Sequence, residues 1–432
     1  MSCIDSKPGA SRRGVTTANR RAHWPTLLAL TVVVVAVTAG PALARPRTHA
    51  GVPAAAAVPA GFVGVDVDGP LFAANTPLNF TAQVRAMVAN GVQSIRVAFN
   101  WAAAQPYQNA GEVPATDPTK YTDVDGHPTD FSATDQVVLT AARFGVTVLP
   151  TILYAPQWDA QHNPGGVDIP KRTAPYAAYA AALVSRYGPG GIFWSEHPGL
   201  RQVPITMWQI WNEPNISYYW PQPFANGYVS LLRAAHGAIK RADPKARVVL
   251  AALTNFAWTS IGQIYGLPNT RNLFDVVSVN AFSASPANVI LYMHFMRNAM
   301  SHFQDGKKPL LATELSWPSA QGQGFMQFDF NTTVTGQAQK ISQLLAMIGQ
   351  QRSRLNLIGF YYYTWIGDED QPHDYVFQFS GLLRFQNNTV TAKLALAAFR
   401  TGALGLEQCR QKGALATSCL KPTFPPVHKP RH

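Results

Sequence analysis

Trp211-Asn212-Glu213-Pro214-Asn215 closes the apolar run Ile205–Ile210, and Glu314 closes a second run, Pro309-Leu310-Leu311-Ala312-Thr313. Each glutamate therefore stands at the C-terminal end of what reads as a buried strand. Two carboxyls placed in this way can divide the work of breaking a glycosidic bond. One, held protonated, delivers a proton to the leaving oxygen, while the other stays ionised and attacks or stabilises the anomeric carbon. That chemistry requires a fold that brings both strand ends into one mouth.

The elements around the two motifs supply such a fold. A strand–helix rhythm starts at Gly61 and repeats to about Arg400. Strands are expected at Phe62–Val67, Ser94–Asn100, Val146–Ile152, Ile205–Trp211, Arg247–Leu253, Asp275–Phe282, Pro309–Glu314 and Leu357–Trp365. These runs are short, β-branched or aromatic and apolar on both faces, as strands covered by helices should be. Helical periodicity is read over Phe80–Asn90, Asp135–Phe144, Ala174–Tyr187, Phe224–Ala242, Ala287–Phe303, Thr335–Gln350 and Thr391–Arg400, several ending in Gly or Pro. The alternation predicts an α/β (β/α)₈ TIM barrel over residues 60–400, with the site at the C-terminal ends of its strands. No Gly-rich phosphate loop follows the first strand, which argues against a dinucleotide-binding sheet.

With Glu213 after the fourth expected strand and Glu314 after the seventh, the chain resembles a clan A glycoside hydrolase over roughly Gly61 to Arg400. The resemblance implies that Glu213, in Asn212-Glu213-Pro214, is the acid/base and Glu314, in Thr313-Glu314, the nucleophile. It further implies that Asn212 holds the sugar 2-hydroxyl, that Arg96 on the second strand pairs with the nucleophile, and that Trp365 on the eighth forms a floor for the sugar. An arginine beside Glu314 should lower its pKa, and a less polar setting should raise that of Glu213. Tyr154-Ala155-Pro156-Gln157-Trp158 resembles family 39, with family 5 as its neighbour. The chain departs from the clan after the sixth strand, where Asn280-Ala281-Phe282 replaces the usual His or Tyr. Tyr265 and His294 are the candidate substitutes.

Other aromatic and charged residues carry weaker signals. Trp101, Trp158 and Trp317 follow expected strands and are candidates for stacking on the apolar faces of a sugar. Asp368-Glu369-Asp370 reads either as a ligand site or as a solvated acidic loop. His162, His294 and His302 show no metal-ligand spacing, and neither a metal nor a cofactor is expected. The expected partner is a poly- or oligosaccharide. The alternative is a catalytically silent carbohydrate-binding or wall-associated protein that keeps the barrel.

The net charge of +12 is concentrated at the termini. Lys7, Arg12, Arg13, Arg20 and Arg21 stand against Asp5 alone, and Arg410, Lys412, Lys421, Lys429 and Arg431 against Glu407 alone. Such a distribution does not favour nucleic-acid binding. The N-terminal bases precede the apolar stretch Leu27–Ala39 and then Ala42-Leu43-Ala44, the layout of a signal peptide over residues 1–44. The apolar stretch falls short of the roughly 20 residues that span a bilayer, so no stable span is expected after cleavage. Residues 45–59 read as a linker and 401–432 as a basic tail. Secretion or cell-envelope association is expected, with Cys409 and Cys419 forming a disulfide in the tail.

Overall fold

The computed structural model describes residues 58–408, except 74–75, 324–327 and 371–374. The expected signal peptide, nearly all of the linker and the Cys409–Cys419 pairing lie outside the described residues. Eight parallel strands form one sheet: β1 (Val63–Asp66), β2 (Ser94–Asn100), β3 (Thr147–Leu153), β4 (Met207–Ile210), β5 (Arg247–Val249), β6 (Val277–Asn280), β7 (Leu310–Leu315) and β8 (Leu357–Tyr362). Their spatial order is β6-β7-β8-β1-β2-β3-β4-β5, and the bridges Val249–Val276 and Leu253–Val279 join β5 to β6. The sheet closes on itself as the expected (β/α)₈ barrel.

Each strand leads to a helix. Among the described residues these are α1 (Phe80–Ala89), α2 (Ser132–Arg143), α3 (Thr173–Tyr187), α4 (Ala225–Ala242), α5 (Ala257–Tyr265), α6 (Pro286–His302), α7 (Val334–Leu355) and α8 (Leu394–Leu406). Local chemistry sets several of the ends. The Asn79 side chain accepts from the backbone of Ala82 to start α1, Ser285 caps α6 just before Pro286, and Asn356 ends α7 in the left-handed conformation at φ 44°. The helix α5 escaped the periodicity reading because it is only nine residues long and contains Gly262, a poor helix former. Packing rescues it: Ile261 and Ile264 are fully buried, each contributing roughly 1.5–3 kcal/mol. Helix α8 runs past the expected end at Arg400.

A small sheet unforeseen in the sequence lies between β8 and α8: β9 (Ile366–Asp368), β10 (Leu383–Gln386) and β11 (Thr389–Ala392). It accounts for the acidic triplet. Glu369 is buried and paired with Arg384 at 2.5 Å and Lys393 at 3.3 Å, so it is neither a solvated acid nor a ligand group.

The barrel interior is layered. An apolar layer of Leu149, Val249, Val276, Leu311 and Tyr361 fills one level. Tyr361 crosses it to hydrogen-bond Ser94 at 2.9 Å. Gly64 on β1 leaves room for that ring, since a Cβ there would lie 2.4 Å from it. Towards the C-terminal ends of the strands the filling turns polar, and this polar layer carries the site.

Candidate active site

Side chains alternate along a strand, so Ser94 and Arg96 on β2 both point into the barrel. Arg96 is buried and every side of its guanidinium is engaged. Nε donates to Gln209 at 2.8 Å, Nη1 to Asp66 at 2.6 Å and Glu314 at 2.7 Å, and Nη2 to Asn212 at 2.8 Å. Gln209 is itself held by Thr151 at 2.9 Å and donates to Ser278 at 3.2 Å. The arginine fork is therefore locked by neighbours from β1, β3, β4 and β6.

Each glutamate reaches the mouth by an irregularity. On β7 the register shifts: Ala312 pairs with Val279, yet Glu314 pairs with Asn280, so Thr313 is an extra residue. Strict alternation would put Thr313 and Glu314 on opposite faces. The bulge re-aims Glu314, and Thr313 is retained inside, donating to Asn280 at 2.9 Å. After β4, Trp211 and Glu213 adopt φ of 70° and 40°, a left-handed region that costs a non-glycine residue about 1–3 kcal/mol. Neighbouring strands hold this turn, with Trp211 N–H bonded to Ile152 and Glu213 N–H to Ala252.

The two carboxyls share a cavity of about 630 Å³ lined also by Asp66, Asp68, Asn212 and Thr254. Glu213 is 8% exposed, and its Oε1 accepts from Asn280 at 2.7 Å. Burial, then the charge of Glu314, pushes its pKa up to about 8, against the pull of Asn280 and Arg96. Glu314 was expected to be lowered by Arg96, and Arg96 does pull it down. Its net shift is upward even so, because burial outweighs the charge and hydrogen bond of Arg96. The contrast survives: Glu314 touches a cation directly and Glu213 does not, so Glu314 ionises first.

Of the expected site residues, the fold brings Arg96, Asn212, Glu213 and Glu314 together and leaves the four tryptophans out of the cavity lining. Trp365 is fully buried and donates to Gln83 on α1 at 3.0 Å. Strand β8 ends at Tyr362, so Trp365 lies beyond the strand that was expected to present it to the sugar. Tyr363 lines the cavity instead. Trp101 is fully buried among Tyr176, Tyr179 and Trp158. Trp317, also fully buried, donates to the carbonyl of Ser283. Trp158 stacks on His127 at 4.1 Å and donates to the carbonyl of Gln105.

The departure after β6 resolves at Asn280 itself, the residue that touches Glu213. Tyr265 is hydrogen-bonded to Asp305, and neither it nor His294 lines the cavity. Asp66 and Asp68 also escaped the sequence reading. Asp66 shares the Arg96 contact, and Asp68 accepts from Thr364 at 2.7 Å. Burial raises the pKa of both. Their only signal was position, at the end of the first strand with an acid at every second residue, Asp66 and Asp68.

Neither a protein-family model nor a curated protein sequence matches the chain. Solved structures do. A monomeric β-xylosidase from Caulobacter crescentus CB15 is similar at TM-score 0.58 and 18% identity, covering 80% of this chain and 69% of that one. A family 39 glycoside hydrolase from Bacteroides cellulosilyticus WH2 gives 0.56 and 17%, covering 79% and 63%, so the chain spans less than two thirds of that protein. The GH53 catalytic domain of Ignisphaera aggregans gives 0.52 and 20%, covering 80% and 97%. At these identities the likeness is one of fold, and it is the barrel of glycoside hydrolases, family 39 among them, that this chain shares.

Proposed function

We propose that the protein is an exported retaining glycoside hydrolase that cleaves β-linked glycosides by double displacement. One observation carries the reading: two buried carboxyls face one cavity, and only Glu314 is paired with a cation, Arg96 at 2.7 Å. Glu314 is then the ionised nucleophile. Glu213, pushed up to about 8, holds its proton at neutral pH. It gives that proton to the departing oxygen and afterwards takes one from the incoming water. Asn280 bonds Glu213 and also acts on Glu314. A covalent route needs the two carboxyls about 5–5.5 Å apart, against about 6.5–9.5 Å for inversion. The Asn212 carbonyl oxygen is taken by Arg96, which leaves its N–H groups to meet a sugar hydroxyl. The neighbouring β-xylosidase adds xylosides to the first substrates worth trying.

The test is NMR of the first product formed from aryl β-glycosides. Retained configuration is expected. Inverted product overturns the double displacement, and no turnover by wild-type protein across an aryl-glycoside panel favours the silent carbohydrate-binding alternative.

A further inference from the structure

The cavity that holds the carboxyls also has a cluster of apolar rings in its lining. Four phenylalanines form one part of its lining: Phe282 after β6, Phe328 and Phe330 from the β7–α7 connection, and Phe377 beyond β9. Phe328 and Phe330 stack at 5.0 Å and 6°, and Phe282 meets Phe330 at 5.7 Å and Phe377 at 5.0 Å. Phe377 packs in turn on Tyr375 at 5.3 Å and Tyr363 at 5.9 Å. Tyr363 lines the same cavity as Asp68, so the wall is continuous with the carboxylate end. Phe328 and Tyr375 remain 40% and 55% exposed at the opening.

A sugar stacks its C–H face on one ring but needs donors and acceptors around its edge. Four phenylalanines supply none. Burying hydroxyls against this wall would leave them unpaired, whereas burying hydrocarbon would not. The volume of about 630 Å³ is that of a pocket for a drug-sized ligand, larger than one glycone demands. We propose that the wall receives the leaving group, and that the substrate is a glycoside of an apolar alcohol, aryl or long-chain alkyl, rather than a link within a polysaccharide. In the first step the anomeric C–O bond breaks, the alcohol departs with the Glu213 proton, and the glycosyl group passes to Glu314. Water then releases the sugar. This inference rests on the glycosidase reading and deepens it.

The experiment uses the whole protein. Once an aryl-glycoside panel has identified the accepted sugar, its methyl, butyl and octyl β-glycosides are compared with its β-disaccharide. The expected result is kcat/KM rising at least tenfold from methyl to octyl, with the octyl glycoside cleaved faster than the disaccharide. The Phe330→Ser/Phe377→Ser double variant should flatten that series. A second measurement needs neither turnover nor a variant. The neutral apolar probe N-phenyl-1-naphthylamine should bind wild-type protein and be displaced by octyl, but not methyl, β-D-glucoside. Hydrolysis with a flat series and a preferred disaccharide overturns the apolar wall while sparing the glycosidase reading. Probe binding without hydrolysis of any glycoside does the reverse. Neither binding nor hydrolysis overturns both.

Discussion

Strands β4 and β7 end in the same side chain under opposite electrical conditions. Glu314 leaves a bulge and lands on Arg96, which Asp66, Gln209 and Asn212 hold in place. Glu213 leaves a left-handed turn and lands on a neutral amide, Asn280. Both carboxyls are buried, so both rise above the usual carboxylate pKa, and the presence or absence of a contacting cation separates their behaviour. The difference teaches that burial alone does not assign roles in a two-carboxyl site; the fixed counter-charge does. The cation is also firmly committed to its charge: burial opposes it, but Asp66 and Glu314 more than offset that penalty.

Removing each glutamate tests this contrast most severely. Glu314→Ala should lose activity on every substrate, on the order of 10⁴-fold or more in kcat, because no step bypasses the nucleophile. Glu213→Ala should lose roughly 10²–10⁴-fold on glycosides with poor leaving groups. It should lose far less on the first step with a dinitrophenyl glycoside, and azide should restore its turnover and yield a β-glycosyl azide. Azide rescue of Glu314→Ala to the β-azide would exchange the two roles.

The next largest effect should follow loss of the cation. Arg96→Met leaves Glu314 without its counter-charge, so its pKa rises further and the acid limb of kcat/KM moves to higher pH. Asp66 and Glu314 lose their buried partner as well, and unfolding in urea should show a loss of about 3–5 kcal/mol. An acid limb that stays where it is in this variant would detach Glu314 from the catalytic ionisation.

Asn280 offers the finest adjustment. Wild-type kcat/KM should fall as pH rises through about 8, because Glu213 then loses the proton that it must donate. The Asn280 hydrogen bond lowers that pKa, so Asn280→Ala should move the alkaline limb upward while costing about tenfold or less in kcat. In Glu213→Ala on the dinitrophenyl glycoside the alkaline limb should vanish. Its persistence would mean that another group titrates there.

The barrel was legible because covered parallel strands must be apolar on both faces, and runs such as Val146–Ile152 announce themselves without knowledge of what lies beside them. Glu213 and Glu314 were legible because each closes an apolar run, whereas Asn212 and Arg96, the latter inside β2, were read from the resemblance to clan A glycoside hydrolases. Helix α5 and the β9–β11 sheet were not legible, because each element is short and carries little periodicity of its own. The tryptophans misled because their size made them conspicuous, while four of them serve as packing or as tethered donors at the edge of the core.

What the sequence determined by itself was therefore the repeat, the strand count and the two glutamates at the mouth, with Arg96 and Asn212 added by the resemblance. Tertiary structure decided the rest. It alone set the bulge at Thr313 that turns Glu314 inward, the placing of Asn280 against Glu213, the substitution of Tyr363 for Trp365, and the convergence of phenylalanines from three separate segments. Two-residue periodicity is a property of one strand and stops at its end. Which side chains then meet depends on register between strands and on the paths of the loops, and these are fixed by packing across the whole barrel.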